Sequence, residues 1–179
     1  MSTTGTLGRP PVVAIESFRA ATQDLCVDAL DDVDRRLLAQ LQRDSGRTLH
    51  ELGELVGLSP SAVQRRITRY RASGLLTREV AVLDGTRLGG LLAVVLVVLE
   101  RESHAHHRAF AERMRATPEV QQCYELAGRW DYLVVLSVAD MGRCREVGDE
   151  LFQRDDNVKR YETMPVFDAV KTGLAVTLP

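Results

Sequence analysis

Residues Leu91 to Leu99 read LLAVVLVVL, an unbroken apolar run rich in β-branched valine. A strand with one face in water alternates apolar and polar residues, so a run of this kind is a strand covered on both faces. DYLVVLSVA, from Asp131, is nearly as continuous. Any fold for this chain must therefore bury both sides of a sheet. The longest uncharged stretch, Leu88 to Leu99, has twelve residues. A membrane-spanning helix needs roughly 20 apolar residues, so none is expected. Residues 1 to 27 lack a basic start, an apolar block and a small-residue cleavage site, so no secretory signal is expected and the expected compartment is the cytoplasm.

The elements around the two runs complete a pattern. Residues 104 to 116 form a helix with Phe110 and Met114 inward, and VQQCYEL adds a strand up to Leu126. After Asp140, Met141, Cys144, Val147, Leu151 and Phe152 recur at helical spacing, and VKRYETMPVFDAV reads as the last strand. The order is β-α-β-β-α-β, a ferredoxin-like arrangement with both helices on one face of an antiparallel sheet. The other face is too apolar for water and the domain has nothing left to cover it. A second copy of the chain does so in our reading, which makes the protein an obligate homodimer.

A chain of 179 residues, 45% hydrophobic and 27% charged, is an ordinary globular protein too short for a large enzyme barrel. With 5% aromatic residues it offers few stacking platforms for single-stranded nucleic acid. Cys26, Cys123 and Cys144 are odd in number and widely spaced, which fits neither a disulfide framework nor a metal clip. Cys123 and Cys144 read as small buried hydrophobes.

The amino-terminal half has a different period. Residues 1 to 27, with Gly5, Gly8, Pro10 and Pro11, read as an arm, helical at most near Ile15 to Ala21. Leu30, Val33, Leu37, Leu38 and Leu41 define a helix over about Asp31 to Arg43, with Asp31, Asp32 and Asp34 in the first turn, where the helix dipole favours anions. Thr48 and Glu51 form a capping box for a short helix with Leu49, Leu52, Leu55 and Val56 as its stripe. Gly57 suits a left-handed cap, and Ser59 and Pro60 open a third helix as N-cap and first residue. Two helices across so short a turn make a helix-turn-helix. The run LLTREVAVLD after Gly74 alternates like the wing of a winged form.

In the third helix Val63, Ile67 and Tyr70 define the inward face. Ser61, Gln64, Arg65, Thr68 and Arg69 then face outward. Arg and Gln match guanine and adenine edges in a major groove, and Ser and Thr can hold phosphates. Residues 59 to 78 carry Arg65, Arg66, Arg69, Arg71 and Arg78 and no acid, in a chain of formal net charge -2. Such a segment is either a local polyanion footprint or a solvated helix face. The first reading requires the guanidinium groups of Ser59 to Ser73 to stand free of carboxylates. Ser59, Ser61, Gln64, Arg65, Arg66, Thr68 and Arg69 are the candidate contacts to double-stranded DNA.

The run VDRRLLAQLQRDSGRTLHELGELVGLSPSAVQRRITRYRASGLL resembles the DNA-binding domain of the Lrp/AsnC family of transcriptional regulators, and the likeness continues through nearly all of residues 30 to 170. The residue reading and the resemblance together give an α+β protein in four parts. These are a flexible arm (1–27), a winged helix-turn-helix domain (28–78), a hinge or linker strand (79–89) and a ferredoxin-like ligand-sensing and oligomerisation domain (90–179). The resemblance also implies dimers through the sheet, stacking of dimers into octamers, and an amino-acid effector at subunit contacts, with no other cofactor.

The connection AGRWD, Ala127 to Asp131, resembles the family's glycine-x-aromatic-aspartate signature near the effector site. Gly128 permits close backbone approach, and exposed amides beside Asp131 suit the carboxylate and ammonium groups of an amino acid. The same residues read equally as a hairpin turn with a packing Trp130; the resemblance favours the ligand. Gly128, Arg129, Trp130, Asp131 and Tyr132 are the candidate effector contacts. His104, His106 and His107 lack a third ligand in the sequence and read as a solvent-facing helix start rather than a metal site. The rival classes are a dimeric α+β barrel enzyme, a small oxygenase or isomerase with an accessory helix-turn-helix, and an assembly protein whose helix-turn-helix contacts only protein. An enzyme needs polar groups inside the barrel, where these strands supply valine and leucine.

Overall fold

A computed structural model describes residues 30–85, 87–101 and 103–178, which form two compact units. The arm expected over residues 1 to 27 lies outside the described residues.

The first unit is helical. Asp31 caps α1 (Asp32–Arg43): the Asp34 amide donates to its carboxylate at 2.6 Å, and its own amide donates to Asp34 Oδ2 at 3.2 Å. The expected box opens α2 (Leu49–Val56), with Glu51 N–H on Thr48 Oγ1 at 3.2 Å and Thr48 N–H on Glu51 Oε2 at 2.7 Å. Gly57 ends it at φ 74°, and the amides of Gly57 and Leu58 both donate to the Gly53 carbonyl, at 2.8 and 2.9 Å. This tight turn brings the Leu58 carbonyl to where a side chain on Gly53 would begin, so only glycine fits there. Ser59 and Pro60 then start α3 (Pro60–Ala72) as the N-cap and first residue. Leu37, Leu38, Leu52, Val56, Val63, Ile67 and Tyr70 close the core.

Two features differ from the sequence reading. Residues 77–84 form no strand, and Val80, Val82 and Leu83 are exposed. A wing needs a ladder partner, and alternation alone does not supply one. Residues 171–178, expected in the sheet domain, belong to the helical unit. Gln42 Nε2 donates to the Val176 carbonyl at 3.2 Å, Val176 N–H donates to Gln42 Oε1 at 2.6 Å, and Leu178 packs against the helical core.

The second unit has the expected order: β1 (Leu91–Leu99), α4 (His104–Ala116), β2 (Val120–Glu125), β3 (Tyr132–Val138), α5 (Met141–Gly148) with a π-helical turn at Asp149–Gln153, and β4 (Val158–Pro165). The antiparallel sheet runs β2-β3-β1-β4. Ala93, Val95, Val97, Leu99, Val134 and Leu136 pack under Phe110, Met114, Cys144, Val147 and Phe152. Met141 is exposed, unlike the rest of its stripe, and β4 ends at Pro165 with Phe167 and Val170 fully out of the core. Burial raises the thiol of Cys144 and, less deeply set, that of Cys123, in keeping with their role as packing residues.

On the opposite face Leu92, Val94, Leu96, Val98, Leu133 and Val135 are half-buried. Val94 pairs with Val135 across the central strands, so these side chains form one continuous apolar surface.

Candidate nucleic-acid interface and a candidate ligand turn

Helix α3 separates its side chains by angle. At about 100° per residue, Ser61, Gln64, Arg65 and Thr68 fall in one stripe roughly opposite Val63, Ile67 and Tyr70. All four are exposed. Gln64 Nε2 donates to Thr68 Oγ1 at 3.3 Å, and the Ser59 and Ser61 hydroxyls lie 3.1 Å apart while Ser59 also caps the helix. Arg65 is exposed and makes no ion pair among the described residues.

Arg66 and Arg69 do not stand free, as the sequence reading required. Arg66 Nη1 donates to Asp34 Oδ1 and, at 2.9 Å, to Asp31 Oδ2, and its side chain is 21% exposed. Arg69 Nη2 reaches Asp34 Oδ1 at 2.6 Å with its side chain 51% exposed. Arg71 pairs with Glu79 at 2.9 Å. On α3 itself the footprint thus reduces to a polar stripe centred on Arg65, with Arg69 at its margin, while Arg78 lies beyond the helix and is exposed.

Asp34 lies in the first turn of α1, as expected, but it is buried there and holds α3. It is 2% exposed and accepts Arg66, Arg69 and the Tyr70 hydroxyl at 2.5 Å. Burial pushes its carboxyl up, but the bonds from Tyr70, Arg66 and the Asp31 amide outweigh burial and hold it at about 2. Burial and then the Asp34 bond raise the Tyr70 phenol. The signal was present in the sequence, because position 34 falls inside the stripe of Leu30, Leu37, Leu38 and Leu41.

In the turn between β2 and β3, Gly128 and Arg129 are exposed. A side chain at 128 would meet no atom within 4 Å, so within this chain the glycine serves no close approach. Trp130 lies under the Arg160 guanidinium, 4.4 Å from ring centroid to Cζ, with Arg129 at 5.9 Å. Asp131 Oδ2 accepts the Leu99 amide at 2.7 Å, and its own backbone bonds Val97 and Leu126, so it ties β1 to the turn. Tyr132 is core rather than surface. It stacks on Phe110 at 4.3 Å, its hydroxyl meets His107 Nδ1 at 2.7 Å, and burial pushes its phenol to about 12. His107 is therefore turned inward, whereas His106 bonds the Ser103 hydroxyl at the helix start. Among the described residues no three His, Cys, Asp or Glu side chains gather to hold a metal ion, and no helix is long and apolar enough to cross a membrane.

Residues 30–71 match the AsnC-type helix-turn-helix domain, and residues 92–176 match the Lrp/AsnC ligand binding domain. The DNA-binding transcriptional activator DecR of Escherichia coli is 37% identical over 126 residues, 70% of this chain and 80% of that protein. Of solved structures, an AsnC family transcriptional regulator from Agrobacterium tumefaciens superposes with a TM-score of 0.76 at 26% identity, covering 82% of this chain and 96% of that one. A transcriptional regulator from Neisseria meningitidis in complex with L-Met superposes at 0.75 with 30% identity, covering 83% and 96%.

Proposed function

Because the chain belongs to the Lrp/AsnC family of DNA-binding transcriptional regulators, we propose that it binds duplex DNA as a homodimer, through the stripe of Ser61, Gln64, Arg65 and Thr68, and that an amino acid modulates this binding. The observation that carries the reading is the division of α3, whose apolar side and three of whose four arginines are engaged by the helical unit while the donor-rich stripe with Arg65 is left exposed. Ser59 and the solvent-facing part of Arg69 add phosphate contacts at the edges of that stripe. A dimer presents two such helices to successive major grooves and reads a pseudo-palindromic site.

The dimer forms through the apolar sheet face of Leu92, Val94, Leu96, Val98, Leu133 and Val135. Those central-strand side chains suit a second sheet and supply no acid, base or nucleophile, which favours the regulator over the barrel enzyme. Dimers stack further, to the octamer that the family resemblance implies. The effector is an amino acid, as L-Met is in the Neisseria complex. Its carboxylate meets the amides of residues 127–130, which make no backbone bond among the described residues, and the Arg129 guanidinium. Asp131 and Tyr132 act there by holding the turn.

Selection of duplexes from a randomised pool, followed by gel-shift titration with and without each amino acid, tests the whole reading. Enrichment of a two-fold site and a shift in its affinity by at least one amino acid are expected. A protein that retains no duplex contradicts the reading. Any effector response requires unequal affinity of the ligand for two states of the protein.

A further inference from the structure

The two carboxylates that start α1 also hold α3. Asp31 and Asp34 cap each other's amides. Arg66 Nη1 sits between them, and Arg69 Nη2 and the Tyr70 hydroxyl reach the same Asp34 oxygen. Residues 66, 69 and 70 are one helical turn, and Arg66 lies about 150° round the axis from the centre of the Ser61, Gln64, Arg65 and Thr68 stripe. A side chain so placed, engaged on two carboxylates, cannot reach a base edge without abandoning a buried anion, and an uncompensated buried charge is strongly destabilising.

We infer that Arg66 is a positioning residue, which with Asp34 sets the rotation and depth of the recognition helix, and that Arg65 rather than Arg66 reads the DNA. The inference rests on the DNA-binding reading above and divides its residues into two kinds. A cationic nitrogen shared by two carboxylates, as Arg66 Nη1 is, resists rotation of α3 about its axis, which apolar contacts at Val63 and Ile67 permit more easily. Asp34 is the complementary half of the device. It fixes Tyr70 and one edge of Arg69 as well, leaving the half-exposed remainder of Arg69 oriented beside the stripe.

The test uses the full chain and a duplex that the unaltered protein has selected from a randomised pool. Arg66→Ala is expected to weaken binding to that duplex on the order of tenfold, with the slope of log affinity against log salt unchanged and the same bases enriched on reselection. A lost phosphate contact instead lowers that slope by about 1, and a lost base contact relaxes one position of the site. Either result for Arg66→Ala overturns the inference. Arg66→Lys keeps a cation between the two carboxylates and is expected to recover most of the affinity with unchanged base preference.

Asp34→Asn gives a test of sign that survives a poorly folding Arg66→Ala. Should Asp34 merely compete with DNA for the arginines, removing its charge tightens binding; should it position them, binding weakens while circular dichroism still reports folded helices. Tightening overturns the inference. If the unaltered chain enriches no duplex, the DNA-binding reading fails and this inference falls with it, a result distinct from any difference between variants.

Discussion

The phenol of Tyr70 donates to the Asp34 carboxylate at 2.5 Å, joining α3 to α1 across 36 positions of sequence. Burial opposes ionisation of Asp34, yet the bonds from Tyr70, Arg66 and the Asp31 amide hold its carboxyl at about 2. An unfolded aspartate titrates near 3.9, so the ionised group stabilises the fold by about 2 kcal/mol above that value. Since the folded value is the lower one, this contribution is complete at neutral pH and is lost as pH falls from about 4 toward 2. The thermal midpoint of the helical unit, followed by circular dichroism, is expected to drop across that window, and Asp34→Asn to flatten the drop. A midpoint in Asp34→Asn that falls as steeply as in the unaltered chain contradicts the assignment.

Gly53 faces the Leu58 carbonyl so closely that a methyl group forces the turn apart. Alanine gains up to about 1 kcal/mol of helix propensity there, but overpacking costs about 1 to 3 kcal/mol. Gly53→Ala is expected to lower the thermal midpoint and to weaken DNA binding with it. A raised midpoint contradicts the close approach.

Val135 lies at the centre of the apolar sheet face, paired with Val94 on the neighbouring strand. A charge at this position leaves the inward core of Val134 and Leu136 untouched, whereas a facing sheet cannot accommodate it unpaired. Val135→Asp is expected to sediment as a monomer and to lose affinity for two-fold sites. A dimer of unchanged stability places the interface elsewhere.

The parts of the structure legible from sequence are those determined within one turn of chain. Thr48 with Glu51, Ser59 with Pro60, and Gly57 are local capping signals, and the apolar stripes of α1 to α5 follow from spacing. The βαββαβ order is legible because the apolar runs at Leu91 to Leu99 and after Asp131 mark strands while Phe110 with Met114 and Cys144 with Val147 mark the helices between strands. What escaped involves partners distant in sequence. Asp34 reads from sequence only as a first-turn anion favoured by the helix dipole, and the fold alone brings Arg66, Arg69 and Tyr70 to it. Arg160 comes from β4 to stack on Trp130, His107 turns inward to satisfy the Tyr132 hydroxyl, and Val176 returns to Gln42. The expected wing is the reverse case, since among the described residues no strand pairs with the alternating run at 77–84.

Asp131 accepts the Leu99 amide at 2.7 Å where β1 meets the turn. Removing the carboxylate leaves a half-buried donor unsatisfied, at about 1 to 3 kcal/mol. Asp131→Ala is expected to lower the midpoint of the sheet unit in the absence of any amino acid, with loss of effector response as a consequence. An unchanged midpoint together with a lost response, read by calorimetry, makes Asp131 a direct ligand contact instead.

The central claim is that the stripe centred on Arg65 reads duplex DNA. Fluorescence anisotropy of Arg65→Ala on the selected duplex, followed by reselection from the random pool, tests it most directly. The expected loss is about 1 to 3 kcal/mol, with one position of each half-site relaxed. Unaltered affinity together with unaltered base preference contradicts the claim.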